Sequence, residues 1–365
     1  MTQDGADSTG AASLVRMFTE FAATTERRAP LYSALSTGVS QRPHLYALLL
    51  QAPPTQRLPV LLFAVVHRVL LDHPTEPLAR WYPNLTIEAS DPSDPMLMPE
   101  FEAFVVRHDR DIRGLLATRS TQTNEVGRCA LLLPAFAQLA DEVGPLAHID
   151  VGASGGLNLQ LDRFEYRYVS RDGTGLGTVG GPSAVVNTTE VSGPMPIPAV
   201  MPAVGTRYGI DLSPIDVTDT SEARWLEACV WPDQADRFHR LVAAIEIARQ
   251  HPVELLEGDA VTSLAPTIDR VGPAEHPVIT NSWVLNYLTP DARAAYLTEL
   301  DRIGAARDLS WVYAESPALI PELPTPLDPS DPQLTVLTLV RWRNGARSVD
   351  HLATCHPHGF WITWH

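Results

Sequence analysis

The segment HIDVGASGGLNLQ, residues 148–160, decides the fold, because it joins a short apolar run to a helix-like run through a turn built from glycines and a serine. A glycine at such a turn either permits a backbone conformation that other residues avoid or lets another group reach the main chain. A strand, a glycine turn and a helix start together place backbone N–H groups at the carboxyl edge of a sheet. The pattern predicts a ligand seat there, although such a turn is often only a turn.

Short apolar runs alternate with helical segments on the C-terminal side of this turn. Seven runs predict strands: LAHIDV, RYGIDL, VELLEGDA, PVITNSWVL, LSWVYAES, TVLTLVRW and FWITWH. Alternation of this kind is typical of a doubly wound α/β fold with a mostly parallel sheet. An Asn-Gly turn at residues 344–345 indicates that the sheet finishes in an antiparallel hairpin.

The domain organisation follows from the change of pattern along the chain. Residues 1–12 are expected to be a disordered tail, and residues 13–120 show helical periodicity broken by prolines, which predicts an α-helical N-terminal region of about four to six helices. Residues 121–365 form the predicted sheet domain. Within it, residues 163–206 are an insert with a hairpin at an Asp-Gly turn and a proline-rich crossing, expected to lie above the sheet.

Composition narrows the class of protein. The hydrophobic fraction is 45% and the charged fraction 19%, and no run approaches the roughly 18 apolar residues of a membrane span. The formal net charge of −16 repels a phosphate backbone, so a small-molecule substrate is expected and nucleic acid is not. The beginning of the chain lacks a secretory signal pattern, and the three cysteines are far apart, which favours a reducing cytoplasm and no metal site. A homo- or hetero-oligomer stays open.

Polar residues close several of the predicted strands. Asp150 ends the first strand, Asp211 the second, Asp259 the third and Asn281 the fourth. A carboxylate at the end of the second strand suits the two hydroxyls of a ribose, and one at the end of the third suits an exocyclic adenine amine. Because the carboxyl ends of parallel strands share one edge, these side chains predict a common ligand site.

These motifs resemble those of a known superfamily. The runs DVGASGG, GIDLSP, EGDA and NSWVLNYLTPDARAAYLTEL look like the successive motifs of class I S-adenosylmethionine-dependent methyltransferases, in the same order. More closely, QTNEVGR, VGASGGLNLQLDRF, GIDLSPIDV, VWPDQADR and HPHGFWITW together resemble a bacterial family of methyltransferase-like proteins known only as a domain of unknown function. The resemblance covers nearly the whole chain and implies a Rossmann-like fold.

The resemblance also implies a cofactor and its contacts. In that superfamily the first glycine loop passes under the methionyl part of S-adenosylmethionine, the acid after the second strand holds the ribose, and the acid after the third faces adenine. The positions that carry these roles here are Asp150, Gly152, Ser154, Gly156, Asp211, Asp259 and Ala260. Two features depart from the pattern: a serine interrupts the glycine loop, and the second strand follows the first after a long insert.

Three residues are candidates for the chemistry. A helix predicted over residues 124–140 begins near the same sheet edge, so Arg128 is expected to clamp a carboxylate or sulfate and Glu125 to take a proton from an amine. A capped, solvated helix start explains both residues equally well. His358, in HPHGF, suits a general base, and a packing role is the alternative.

Three functions fit the sequence. The first is an S-adenosylmethionine-dependent methyltransferase-like enzyme acting on a small molecule, with the N-terminal region and the insert as a lid. The second is a cofactor-independent enzyme that closes a ring by amine attack with loss of sulfate, using the glycine loop and Arg128 for the leaving group. The third is a non-catalytic binding subunit on the same scaffold.

Overall fold

The computed structural model describes residues 3–323 and 334–365, with side chains from residue 12 onward. Eleven α-helices lie in this part of the chain: α1 (Gln3–Thr25), α2 (Pro30–Ser40), α3 (Pro43–Tyr46), α4 (Pro59–Asp72), α5 (Leu97–Arg107), α6 (Asp109–Thr118), α7 (Cys129–Val143), α8 (Thr220–Ala228), α9 (Ala235–Gln250), α10 (Leu264–Ile268) and α11 (Pro290–Gly304). The same residues contain eleven β-strands: β1 (Leu146–Val151), β2 (Glu165–Val169), β3 (Gly175–Val179), β4 (Val186–Ser192), β5 (Val204–Asp211), β6 (Glu254–Glu257), β7 (His276–Ser282), β8 (Leu309–Glu315), β9 (Thr335–Arg343), β10 (Ala346–Cys355) and β11 (Trp361–Trp364).

The chain forms two compact units. The first contains the described residues of Met1–Thr123 together with Asp219–Val242, and the second those of Asn124–Thr218 and Ala243–His365. The change of sequence pattern near residue 120 predicted that everything after it belongs to the sheet domain. Instead, α8 and the beginning of α9 belong to the helical unit.

Buried contacts explain why α8 belongs to the helical unit. The imidazole of His67 on α4 lies 3.0 Å from the carbonyl oxygen of Ala228 at the end of α8. Arg119, which follows α6, forms two parallel hydrogen bonds of 2.7 and 2.5 Å to the carboxylate of Glu222. An amphipathic helix inserted late in the sequence therefore completes a core begun by the N-terminal helices, which local periodicity cannot reveal.

The predicted tail, residues 1–12, is helical from Gln3, and residues 1 and 2 lie outside the described part of the chain. Leu14 and Phe18 are buried further along α1, so tertiary packing stabilises that part of the helix. Extending an existing helix costs far less than nucleating one, which explains how a polar start continues α1. No helix in the described residues combines the length and apolarity needed to cross a membrane.

The second unit is mixed α/β, with one large, mostly parallel sheet in the order β3-β2-β4-β11-β10-β9-β8-β7-β1-β5-β6. The strands β1, β5, β6, β7 and β8 pair in parallel. All residues of β1, β7 and β8 are buried, as expected of central parallel strands covered on both faces. The predicted antiparallel hairpin is β9–β10, and its turn has positive φ at both Asn344 and Gly345, as a two-residue type I′ connection requires.

The insert extends the sheet. Its predicted Asp-Gly hairpin is confirmed as the antiparallel pair β2–β3. A further strand that the sequence analysis missed, β4, pairs in parallel with both β2 and β11. The expectation that the insert lies above the sheet is therefore wrong for β2, β3 and β4, because these strands are part of the sheet. β4 supplies the hydrogen-bonding partner that the edge of β11 would otherwise lack.

One apolar layer packs β1, β7 and β8 against α10 and α11. At its margin, Gly304 on α11 meets the indole of Trp342 on β9: an added Cβ would lie 2.2 Å from two of the ring atoms. The indole also donates a 2.9 Å hydrogen bond to Asp301, one turn earlier on the helix. Helix and sheet thus approach closely because this residue has no side chain.

Substituting Gly304 should destabilise the protein through this contact. We expect Gly304→Ala to lower stability by about 1–3 kcal/mol, the usual range for an overpacked core. The matched control is Gly114→Ala on α6, where an added Cβ meets nothing within 4 Å. That change should stabilise by about 0.5–1 kcal/mol, because alanine is the better helix former. Thermal unfolding of both variants measures the difference, and equal effects would contradict the assigned contact.

Candidate functional site

The order of the five central strands reverses between β1 and β7. Numbered by appearance, these strands lie in the order 3-2-1-4-5, and the chain proceeds outward in both directions from the β1–β7 pair. In open parallel sheets, ligands bind in the crevice beyond the carboxyl ends of the strands at such a reversal. The residues that follow β1, β5, β6 and β7 therefore form the candidate site.

Protein atoms account for the bare backbone of the glycine loop. Gly152 has φ 77°, and a Cβ added there would lie 2.4 Å from a methyl group of Val284, in the turn after β7. Gly156 has φ 69°, and a Cβ there would lie 2.9 Å from the side chain of Leu255 on β6. The space beside these two glycines is thus occupied by side chains of the protein, one from the turn after β7 and one from β6.

The loop continues into the 3-10 helix Leu157–Arg163, and the expected helix start is therefore only seven residues of tighter helix. Two N–H groups at this position have side-chain partners: Ser154 N in the loop donates to Asp211 at 2.8 Å, and Leu157 N at the start of the helix donates to the Asn124 side chain at 3.1 Å. These two amides are therefore engaged within the fold, and an anion at the predicted seat would have to use other N–H groups of the loop.

Asp211 connects the second strand to the glycine loop. One oxygen of its half-buried carboxylate accepts from Ser154 N, and the other accepts from Ser213 N at 2.9 Å. Each carboxylate oxygen has two lone pairs, so both can still accept from a ligand hydroxyl. The next side chain, Leu212, is 70% exposed, which leaves an apolar surface beside the acid. Ser154 itself has φ 52°, a strained conformation for a non-glycine residue.

Asp259 and Ala260 follow β6, which pairs with β5. Because Glu257 on β6 is in register with Asp211 on β5, Asp259 lies at the same sheet edge as Asp211. The exposed Asp259 carboxylate accepts from the N–H groups of Val261 and Thr262 at 2.9 and 3.1 Å and so stabilises the turn that follows it. Ala260 is buried in the apolar layer described above. Asp259 thus lies at the predicted edge, but its local bonds give it a structural role.

Asp150 is buried at the end of β1 in a chain of hydrogen bonds. The hydroxyl of Thr280 on β7 donates to its carboxylate at 2.7 Å and lies 2.8 Å from His148 Nε2. Burial lowers the pKa of His148 to about 3, so the neutral ring donates through Nε2 to the threonine oxygen. Burial also raises the pKa of Asp150 to about 7; the Asp211 charge adds to this effect, while the Thr280 hydrogen bond and Arg128 oppose it.

Asn281 faces a buried acid instead of an open crevice. Its amide donates to Glu315 at 2.8 Å and accepts from the indole of Trp311 at 2.6 Å. The same oxygen of Glu315 accepts from the N–H groups of Val284 and Leu285 at 2.7 and 3.2 Å. Burial raises the pKa of Glu315 to about 7. The cofactor role predicted for Asn281 therefore gives way to a structural one: it helps Glu315 hold the turn after β7.

That turn is strained and lies against the glycine loop. Its first residue, Trp283, has φ 55°, which is unusual for a bulky side chain, and its indole donates to Thr335 at 3.1 Å. The next residue, Val284, covers Gly152. Tyr287, at the end of the turn, is 78% exposed. Strain maintained by several buried bonds is common at functional sites.

The three predicted catalytic residues come together. Glu125 is buried and caps the 3-10 helix Val126–Arg128 by accepting from Gly127 N at 2.9 Å, and its other oxygen lies 3.9 Å from His358 Nδ1. Arg128 donates to the Pro357 carbonyl and to the Ser282 carbonyl, both at 2.8 Å. This arginine therefore joins the β10–β11 turn to the end of β7. The predicted solvated helix start is instead buried between these two segments.

A close backbone contact makes this junction possible. A Cβ on Gly127 would lie 2.5 Å from the carbonyl oxygen of His358, and one on Gly359 would lie 2.1 Å from the carbonyl oxygen of Gly127. The two glycines let the turn between β10 and β11 lie directly on the start of α7. Glu125 and His358 are adjacent because of this contact, which spacing along the sequence does not reveal.

Thr280 and Val284 were not predicted to be parts of the site. The available signal was polarity: PVITNS and WVYAES end strongly apolar strands on residues that need partners when buried. Among the described residues, no group of three or more histidine, cysteine, aspartate or glutamate side chains has an arrangement that would hold a metal ion.

The contact between Gly152 and Val284 predicts a coupled mutational effect. Gly152→Ala should destabilise by about 2–4 kcal/mol, through backbone strain and the clash with Val284. Adding Val284→Ala should recover about 1 kcal/mol relative to the sum of the two single changes. Gly144→Ala is the control: this glycine has φ 83° with nothing within 4 Å of an added Cβ. Strict additivity in denaturant unfolding of the Gly152 pair would contradict the contact.

The buried Asp150 predicts a pH dependence of stability. Because its folded pKa is raised to about 7 from an ordinary value of 3.8, the unfolded chain loses this proton first as the pH rises. Its contribution to stability is present below pH 4 and is lost as the pH rises to 7. Asp150→Asn removes this term, so the melting temperature of the variant minus that of the wild type should increase between pH 5 and 8. A difference independent of pH would show that the carboxyl group titrates normally.

Comparisons with known proteins give one family and no further relative. No curated protein and no solved structure matches the chain. Residues 15–364 match the family DUF2332, whose description is "uncharacterized protein conserved in bacteria". Since this match covers almost the whole chain, the protein belongs to the bacterial DUF2332 family.

Proposed function

We propose that this protein is a methyltransferase-like enzyme that acts on a small molecule in the cytoplasm, with a nucleoside-bearing ligand bound beyond β1 and β5. The observation that carries the proposal is Asp211, a carboxylate at the end of the second strand of a 3-2-1-4-5 arrangement, bonded to the N–H of the glycine loop. Nucleotide-binding doubly wound folds place a ribose-binding acid at this position. The net charge of −16 supports a small-molecule substrate over nucleic acid.

The residues fit one half of S-adenosylmethionine better than the other. Asp211 would accept from the ribose hydroxyls, and the exposed Leu212 would cover an apolar face of the base. The methionyl half would cross the glycine loop, where Val284 lies against Gly152, so the turn after β7 would have to shift. When bound, the cofactor would supply an activated methyl group.

The chain's own residues would handle a proton beside this seat. The Glu125 carboxylate lies next to the Nδ1 side of the His358 ring, whose side chain is 28% exposed. The two groups are 3.9 Å apart, and closing this gap to hydrogen-bond distance would fix the tautomer of the ring, as a general base requires. Arg128 would position the end of β7 and the β10–β11 turn, since it donates to the carbonyl groups of Ser282 and Pro357, which leaves the clamping of a leaving group to other residues.

A second function is favoured by the position of Val284. If this side chain stays on Gly152, the scaffold has no path for the methionyl part of the cofactor, and a cofactor-independent displacement becomes the better description. In that reaction the Glu125–His358 pair would deprotonate an amine that closes a ring and expels sulfate. A non-catalytic subunit would need neither ligand.

Calorimetry with S-adenosylhomocysteine tests the leading proposal. We expect binding to the wild-type chain and a loss of affinity of at least about tenfold for Asp211→Asn, because the amide cannot accept from two hydroxyls as the charged carboxylate does. Val284→Ala should tighten binding, since it lowers the cost of moving the turn.

Asp172→Asn is the matched control, because this exposed aspartate stabilises the β2–β3 turn by accepting from Thr174 N. Absence of binding to both wild type and Val284→Ala would exclude the cofactor-dependent function. A rise of the melting temperature with sulfate in the same samples would then favour displacement, and no response to either ligand would favour a binding subunit.

A further inference from the structure

The helical unit contains a group of buried polar atoms with no partner. The hydroxyls of Tyr32 and Tyr82 are buried and make no hydrogen bond to any described residue. The same is true of one carboxylate oxygen of Asp233, in the segment VWPDQ that precedes α9. Buried polar groups are normally hydrogen-bonded, so a group of such atoms marks a place where a ligand or water is needed.

The three side chains belong to one neighbourhood of the helical unit, because Tyr32 packs on Phe63 and Tyr82 packs on His67, one turn further along α4. Asp233 accepts from the N–H of Leu31 at 2.9 Å through one oxygen, which fixes the carboxylate beside Tyr32. Trp231 connects the same segments, with its ring centroid 5.9 Å from that of Tyr32. Burial raises the pKa of both tyrosines, and the negative charge of Asp233 raises each of them further, as expected of neighbouring groups.

Aromatic rings form the walls of this cluster. Phe63 packs on Tyr32 with a centroid distance of 4.9 Å, and His67 packs on Tyr82 at 5.5 Å. His67 is committed to the fold, because one ring nitrogen lies 3.0 Å from the carbonyl oxygen of Ala228 and the other 2.9 Å from the amide of Asn84. Burial lowers its pKa to about 4, so the imidazole carries no charge near neutral pH. His67 therefore lines the cluster and does not offer a ring nitrogen to a bound molecule.

The chemistry of the three atoms selects the ligand. A carboxylate oxygen only accepts hydrogen bonds, and a phenolic oxygen both accepts and donates. Burial raises the pKa of Asp233, and backbone N–H groups, including that of Leu31, lower it again. Three oxygen atoms without a hydrogen-bond partner favour a ligand that donates in several directions, and the carboxylate among them favours one that carries a positive charge. Aromatic faces around such a point attract cations as well.

We propose that Tyr32, Tyr82 and Asp233 form a binding site for a primary ammonium group. The Asp233 oxygen that has no partner would accept one N–H, and the two phenolic oxygens would accept the others. Asp233 and Trp231 are half-buried, whereas the three polar atoms themselves are buried, so a ligand would reach them only through movement of the segment that precedes α9. This inference is independent of the function proposed for the sheet unit, because every residue it uses belongs to the helical unit.

Methylammonium chloride is the probe. It should raise the melting temperature of the complete chain in a saturable manner, beyond the effect of potassium chloride at equal concentration. Asp233→Asn, Tyr32→Phe and Tyr82→Phe should each weaken methylammonium binding about tenfold or more, measured by calorimetry. Tyr46→Phe, on α3 of the same unit, is the matched control and should leave the affinity unchanged.

The melting temperatures without methylammonium separate a ligand site from a purely structural cluster. Removing a buried hydroxyl that has no partner costs little, so both phenylalanine variants should melt at or above the wild-type temperature. The proposal is overturned if methylammonium acts no differently from potassium. It is also overturned if the phenylalanine variants lose stability as Asp233→Asn does, because the hydroxyls would then be satisfied by ordered water within the fold.

Discussion

The sheet unit depends on one constraint: β1, β7 and β8 are buried on both faces, yet each has an acid or an amide among its last two residues. A buried carboxyl group must find donors, lose its charge, or both. Asp150 accepts a hydrogen bond from the hydroxyl of Thr280, and Glu315 accepts hydrogen bonds from the side-chain amide of Asn281 and from two backbone N–H groups. The loops at the carboxyl edge are arranged around these needs.

This arrangement links the loops at the carboxyl edge to one another. The turn after β7 is held by Glu315, and through Val284 it rests on the glycine loop. The glycine loop is held by Asp211 and by Asn124. A change at any of these points therefore reaches the others through direct contacts, and a ligand that enters the crevice has to work within the same set of bonds.

Much of the fold was predictable from the sequence, because the signals that specify strands and turns lie within a few residues of one another. Seven apolar runs between turn signals gave seven of the strands, and Asn344-Gly345 gave the last hairpin, because turn chemistry acts within a few residues. By contrast, the placement of β4 beside β11 and of α8 in the helical unit depends on partners far away in the sequence. The seven residues of β4, VNTTEVS, also lack the apolar content that marks a strand.

The site was predictable to the level of which residues gather, but not of what they do there. Strand ends share an edge, so Asp150 and Asp211 were expected together. Whether a glycine admits a ligand or a side chain depends on what stands opposite it, and Val284 is remote from Gly152 in the sequence. The same limit applies to Asp233: periodicity assigns VWPDQ to a break between helices, and only tertiary packing places its carboxylate beside two tyrosines.

The position of β11 has a consequence for biosynthesis. This short strand is the bridge between β10 and β4, and it is made after every other strand in the sheet. Until it has been made, β2, β3 and β4 have no hydrogen-bonded connection to the other strands of the sheet. A chain that lacked Trp361–Trp364 would leave the edge of β4 open to pairing with other molecules.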